Sequence, residues 1–207
     1  MNPPVKIICV LKSGGCYTPD YVDKLFNSIH RNSTISFKFI CLSDLAWDSD
    51  YSVHPLTENF PGWWSKIEMF KYNGPVVTMD LDTLIIRNID KLLCLPLYKS
   101  DDDDRIYMMK AANIKRTYTT SIMAWNGNFK YIFDNFIFDR DKDYKWDQYY
   151  ILSELKQKWI TEIQCLVSGI YSYKRQWEKQ DDTRIIWFHG HPRMHNCNEE
   201  ILKEHWK

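Results

Sequence analysis

No stretch of this sequence approaches the ~20 consecutive apolar residues that a membrane-crossing helix needs. Nor does a basic segment followed by a long apolar core open it, so a soluble protein with no membrane span is expected. Charge of one sign is missing as well: 27 Lys and Arg face 27 Asp and Glu, a net charge of zero with His neutral. A general binder of nucleic acid or of anionic membranes draws its affinity from excess positive charge, and that class is set aside. The six cysteines (Cys9, Cys16, Cys41, Cys94, Cys165, Cys197) lack any paired spacing. Cys9, Cys41 and Cys165 lie inside apolar runs, as buried free thiols do, and a reducing, cytoplasmic setting is expected. Internal repeats, low-complexity tracts and dividing linkers are absent too. One domain over 1–207 is therefore expected, a monomer, either alone or as the N-terminal part of a larger polypeptide. What the sequence has in quantity is aromatic side chains, 15 % of residues with nine Trp and thirteen Tyr. Some belong in a core, and others are expected to line a groove, since aromatic faces suit sugars and bases alike.

Val5–Leu11 reads as a buried strand, and the loop Lys12-Ser13-Gly14-Gly15 follows it. Pro19–Arg31 then reads as a helix, with Pro19 in its first turn and Thr18 as its cap. Residues 36–42 form a second strand. Strand, glycine loop, helix and strand are the opening of an open α/β sheet, in which ligands sit outside the carboxyl ends of the strands. A polar loop with Asp44, Asp48 and Asp50 leads to a helix over about 63–72, ended by Asn73-Gly74-Pro75. A third strand runs into Asp80, and 84–86 continues it. Further along, 89–93 reads as a short helical turn, 105–110 and 119–125 as strands, 129–138 and 146–158 as helices, and 184–188 as a late strand. Four acids at 101–104 read as a solvated loop.

Residues 75–83 carry the most information. A short apolar run ends in two carboxylates, Asp80 and Asp82, with Leu81 between them. Along an extended chain residues i and i+2 point the same way, so both acids project together where a lone charge is costly. A divalent cation would compensate them, since magnesium and manganese prefer oxygen ligands and bridge carboxylates to substrate phosphates. A solvated turn that merely opens on two Asp residues is the other reading. The loop at Ser13 and Gly14 would let backbone approach a base or ribose, or is an ordinary strand-to-helix turn. It has neither the G-x-G-x-x-G spacing nor the lysine-ending phosphate loop, so those two sites are excluded. His189 follows an apolar strand, as the acids do, and neutral imidazole is a good manganese ligand. His191 and His195 read as loop residues, and a zinc site built from the three histidines lacks a supporting Cys pair. Lys66 and Arg193 are candidates for phosphate contacts, or exposed charges. Asp147-Gln148 opens a helix, where an acid favours the macrodipole without any function.

Taken in order, this set resembles the nucleotide-sugar-dependent glycosyltransferases of the GT-A fold. The likeness rests on the strand–loop–helix start, Gly62-Trp63-Trp64-Ser65-Lys66, the strand into Asp80-Leu81-Asp82, Trp146-Asp147-Gln148, and His189-Gly190-His191-Pro192-Arg193. Within that group it is similar to small glycosyltransferase domains of large algal DNA viruses and, more distantly, to glycogenin-like enzymes. The resemblance implies one Rossmann-like α/β domain with a central mixed, mostly parallel sheet flanked by helices. It implies a Mn²⁺ or Mg²⁺ ion on Asp80, Asp82 and His189. It further implies UDP-sugar contacts from Lys12, Ser13, Gly14, Tyr17, Lys66, Asp80, Leu81 and Arg193, and donor-sugar contacts from Asp147 and Gln148 as the catalytic pair. Arg193 stands near the lysine of the family pattern His-x-x-Gly-x-x-Lys-Pro-Trp, in a shorter segment with the order Pro-Arg and no Trp. The expected reaction moves a hexose, glucose or a relative, from UDP to a hydroxyl of a glycan or protein-linked sugar, with retention, as in viral glycan synthesis. Two rivals stand beside it. One is a haloacid-dehalogenase-type phosphatase with Asp80 as nucleophile, for which Leu84 occupies a position that calls for Thr or Val. The other is a nucleotide-sugar-binding domain without catalysis.

Overall fold

Strand β1 (Val5–Leu11) is apolar almost throughout because both of its faces are covered. Ile7, Cys9 and Leu11 join one core cluster, while Ile8 joins another with Val10 packed against it. The computed structural model describes residues 3–98, 105–112, 117–155, 159–177 and 180–207. The acids at 101–104 and the end of the helix expected at 146–158 lie outside the described residues.

The remaining strands are β2 (Phe37–Ser43), β3 (Ser52–Pro55), β4 (Gly74–Met79), β5 (Thr83–Ile85), β6 (Ile106–Lys110), β7 (Tyr118–Gly127), β8 (Ile160–Glu162), β9 (Ile170–Ser172) and β10 (Ile185–Trp187). The helices are α1 (Pro19–Arg31), α2 (Asp90–Leu93), α3 (Lys130–Asp134), α4 (Phe138–Asp141), α5 (Asp147–Glu154) and α6 (Glu200–His205). Seven strands form the main sheet in the order β3-β2-β1-β4-β7-β6-β8, and β7 alone runs against the others. This is the mixed, mostly parallel sheet flanked by helices that the resemblance implied. One face is covered by α1 through Tyr21, Val22, Leu25 and Ile29. The other is covered by Trp64, Ile67 and Phe70 together with Ile132, Tyr150 and Ile151. A second sheet, β5-β10-β9, stands beside the first.

Several local expectations change. The segment 84–86 does not prolong the third strand, because β4 ends at Met79 and β5 pairs antiparallel with β10 in the second sheet. Asp80-Leu81-Asp82 is thus the junction between two sheets, and strand alternation is not what aligns its acids. The helix at 63–72 is a 3-10 helix, Gly62–Lys71, with i→i+3 bonds from Trp64 N to Pro61 O and from Tyr72 N to Met69 O. The polar loop after β2 contains β3, an edge strand whose Ser52, His54 and Pro55 are exposed, so no apolar alternation marked it. The expected helix at 129–138 is divided into α3 and α4. Strands β8 and β9 have three residues each, too few to show a period. Thr18 occupies the N-cap of α1 but makes no side-chain bond there. Cys165 is exposed, contrary to expectation, while Cys9 and Cys41 are buried, and all six thiols are free. Among the described residues no helix is long and apolar enough to cross a membrane.

Candidate active site

Three chain segments meet at one edge of the main sheet. β1 ends into the Lys12–Tyr17 loop and β4 ends into Asp80, both at carboxyl ends of parallel strands. Because β7 is antiparallel to β4, with Met79 opposite Ile122, its opening residues Thr119, Thr120 and Ser121 lie beside Asp80. The peptide N–H of Asp80 donates to Ser121 O at 2.8 Å, and that of Phe188 donates to Asp82 O at 2.8 Å. The junction is thereby clamped from both sheets. A cavity of about 580 Å³ opens here, and its lining includes every residue singled out above: Lys12, Ser13, Gly14, Tyr17, Lys66, Asp80, Leu81, Asp82, Asp147, Gln148, His189 and Arg193. His191 and His195 are not part of it; His195 Nδ1 pairs with the Tyr21 hydroxyl at 2.6 Å.

The first loop is held by Asp44, which the sequence did not single out for this role. Its carboxylate accepts from Ser13 N at 2.8 Å and Ser13 Oγ at 2.6 Å, and pairs with Lys12 Nζ at 3.0 Å. Partial burial pushes the Asp44 carboxyl up, but these three donors outweigh it and hold it down at about 2. Gly14 has φ 86, the left-handed region that favours glycine, and nothing lies near where a side chain would project.

The two junction acids face different partners. Lys66 Nζ lies 2.7 Å from Asp80 Oδ1 and 3.5 Å from Asp147 Oδ2, and donates to Thr120 Oγ1 at 3.1 Å. Thr120 Oγ1 donates in turn to Asp147 Oδ2 at 3.0 Å. Burial pushes the Lys66 ammonium down, but Asp80 and Asp147 more than offset that, and it stays charged. Asp82 Oδ2 instead accepts from the Tyr17 hydroxyl at 2.9 Å and from Arg193 Nη1 at 3.0 Å. Arg193 also donates to the Tyr17 hydroxyl and stacks over the Tyr17 ring at 5.0 Å. Both carboxyls lie above the ordinary carboxylate range. Burial raises Asp80 against the pull of Lys66. Burial and then the charge of Asp80 push Asp82 up to about 7, opposed by Tyr17 and Arg193.

No protein-family model matches the chain, and no curated protein matches it by sequence. Solved structures do match its fold. The galactosyltransferase LgtC, in complex with donor and acceptor sugar analogues, superposes with a TM-score of 0.61 at 11 % identity, over 92 % of this chain and 89 % of LgtC. A glycosyltransferase involved in glycosylation of the major capsid of PBCV-1 gives 0.55 at 12 % identity, over 94 % of this chain and 97 % of that one. The glycosyltransferase GlyE of Streptococcus pneumoniae gives 0.57 at 10 % identity over 78 % of this chain, which spans 45 % of the length of GlyE. The chain has the GT-A glycosyltransferase fold.

Within this GT-A fold, the three expected metal ligands share the cavity but are not gathered into a ligand cluster. Asp80 is turned to Lys66, Asp82 to Tyr17 and Arg193, and His189 Nε2 pairs with Ser172 Oγ at 2.8 Å. Among the described residues no three His, Cys, Asp or Glu side chains stand together ready for an ion. The donor set, two carboxylates and an imidazole, nevertheless fits a divalent cation such as Mn²⁺. Three carboxyl groups, Asp80, Asp82 and Asp147, face the two cations Lys66 and Arg193 there. Two buried nitrogens of the lining, Gln148 Nε2 and Arg193 Nε, have no hydrogen-bond partner. The lining holds residues that the sequence did not mark, among them Trp187 from β10 and Thr119 and Ser121 from β7. Only the reversed direction of β7 brings those hydroxyls to the acids.

Proposed function

We propose that the chain is a metal-dependent glycosyltransferase that moves a hexose from a UDP-sugar, UDP-glucose or a relative, to a hydroxyl of a glycan or protein-linked sugar, with retention. The observation that carries this is the junction itself. At the carboxyl ends of β1 and β4 of a GT-A fold, one cavity of about 580 Å³ brings together paired acids, two cations, a glycine loop and an unpartnered amide. Its size falls in the range of roughly 300–1,000 Å³ usual for ligand pockets. That LgtC was solved with donor and acceptor sugar analogues supports the same reading by likeness of fold.

Asp80, Asp82 and His189 would hold Mn²⁺ or Mg²⁺, which when bound supplies Lewis-acid neutralisation of charge on the diphosphate. The Lys12–Tyr17 loop receives the nucleoside. Arg193, with Nε open, donates to a diphosphate oxygen as charge builds there. Gln148 donates its free Nε2–H to a hydroxyl of the donor sugar. Asp147 has its Oδ2 engaged by Thr120 and Lys66, so it orients the sugar and steadies its cation-like carbon instead of taking a proton. The bond from the acceptor oxygen to the anomeric carbon forms as the bond from that carbon to the diphosphate breaks. The electron pair leaves with UDP, and the acceptor proton passes to the departing phosphate oxygen on the same face.

The test is donor hydrolysis across a panel of nucleotide sugars with Mn²⁺, alongside UDP calorimetry with and without chelator. Release of UDP from a UDP-hexose, and UDP binding that chelator weakens, are expected. UDP binding indifferent to chelator would sink the metal site, and turnover of no nucleotide sugar would sink the transferase.

A further inference from the structure

The proposed reaction leaves one wall of the cavity without a task. Trp63 stands there, its residue 48 % exposed, while each of the other eight tryptophans is buried or half-buried. Its neighbour on the same 3-10 helix, Trp64, is 5 % exposed and stacks on Phe136 at 5.4 Å. Trp63 belongs to neither core cluster, so the fold does not need an indole at that position. One side of its ring meets Trp146 at 5.1 Å between centroids, with the planes at 48°. Trp146 directly precedes Asp147 and Gln148, and all four line the cavity. Lys145, just before Trp146, has φ 62, and among the described residues it is the one non-glycine in the left-handed region. Trp146 itself is extended and forms the N-cap of α5. Gln148 is 7 % exposed with Nε2 unpartnered, so the end of the cavity beside the two indoles contains a buried donor with no partner in the protein.

We infer that Trp63, backed by Trp146, is the acceptor platform: a neutral pyranose lays its C–H face on the Trp63 ring and turns one hydroxyl toward the donor sugar at Asp147 and Gln148. The inference rests on the transferase reading and adds to it the side chains that hold the acceptor sugar. The axial C–H bonds of a pyranose form an apolar, weakly positive face, which suits the negative face of an indole. A stiff aromatic pair gives contact area at little entropic cost, so the site selects a ring with an apolar face and tolerates variety at its hydroxyls.

Wild-type protein, W63A and W63F should be compared with methyl β-D-glucopyranoside, methyl β-D-xylopyranoside and lactose as probes, in the presence of UDP and Mn²⁺. Saturation-transfer NMR reads sugar binding, calorimetry reads UDP affinity, and UDP-glucose with each probe reads transfer. In W63A, loss of saturation transfer to the ring C–H protons and a KM for the sugar probe raised tenfold or more are expected, with UDP affinity within twofold and the thermal transition retained. W63F should keep most of the binding. Sugar binding unaltered in W63A, or no saturation transfer to any of the three probes with wild type, overturns the platform. A UDP affinity that falls with W63A overturns it too, by giving the ring to the donor base. Trp63-dependent sugar binding without turnover of any nucleotide sugar upholds the platform while the transferase reading fails.

Discussion

Asp80 and Asp82 are separated by one residue, yet they belong to different halves of the molecule. Asp80 is tied to the main sheet and its covering helices through Lys66, Thr120 and Asp147. Asp82 is tied to the first helix region and the C-terminal segment through Tyr17 and Arg193. The side chain of Asp80 keeps 29 % of its surface open, that of Asp82 only 10 %. The contrast teaches that neighbouring acids of one cavity can be positioned by independent scaffolds. Lys66 answers to two carboxylates at once, whereas Arg193 shares a single carboxylate with a neutral phenol.

The contrast can be broken most visibly by Asp82→Ala, which should abolish Mn²⁺-dependent UDP binding in calorimetry and lower turnover by about 10²–10³. A variant that still binds UDP in a chelator-sensitive way would place the ion on the Asp80 side alone. Next in size, Lys66→Met leaves Asp80 and Asp147 without their shared cation. It should destabilise by roughly 2 kcal/mol, below the ~3–5 kcal/mol of a fully buried broken pair because Asp80 is partly open. Urea unfolding of Lys66→Met beside Arg193→Met sharpens the comparison: the Arg193 variant should lose less, since Tyr17 still donates to Asp82. Equal losses would mean that the two halves are not built differently. His189→Ala should keep the fold and weaken manganese affinity about tenfold, within the range for groups around a metal site, and an unaltered titration removes it from that site. The smallest effect belongs to Asp44→Asn, for which UDP affinity should fall only about threefold as the Ser13 loop loosens. Asp44 is held at about 2, below its ordinary value, so its contribution is complete above the unfolded carboxyl range and is lost as pH falls toward 2. Acid titration of thermal stability should show that loss in the wild type and not in the variant.

Much of this architecture was legible in the sequence. β1 and β4 announce themselves as unbroken apolar runs and α1 by its apolar face, and their punctuation is strong, with Pro19 at the start of a helix and Gly74-Pro75 at a strand start. The residues proposed from Asp80-Leu81-Asp82, Asp147-Gln148 and His189 all line one cavity, although they are far apart in sequence. What stayed illegible was what periodicity cannot encode. β3 is an exposed edge strand, β8 and β9 are too short for a pattern, and the second sheet exists only through the β5–β10 pairing across 100 residues of chain. The 3-10 character of Gly62–Lys71 was hidden because an apolar stripe looks much the same at both pitches over three turns. Asp44 was visible only as one acid of a polar loop; nothing local told that its oxygens would meet the Ser13 amide 31 residues away.

The clasp on Asp82 has a consequence for how the protein comes to be functional. Its members lie 65 positions apart from Tyr17 to Asp82, 111 from Asp82 to Arg193 and 176 from Tyr17 to Arg193. Contacts of such reach close late, because loop-closure entropy must be met before they contribute. During synthesis, the main-sheet half can be assembled while residue 193 is still to come, and the clasp cannot. Nucleotide binding that needs the clasp is therefore a reporter of finished folding: a chain arrested with only its first sheet in place should be compact yet blind to UDP.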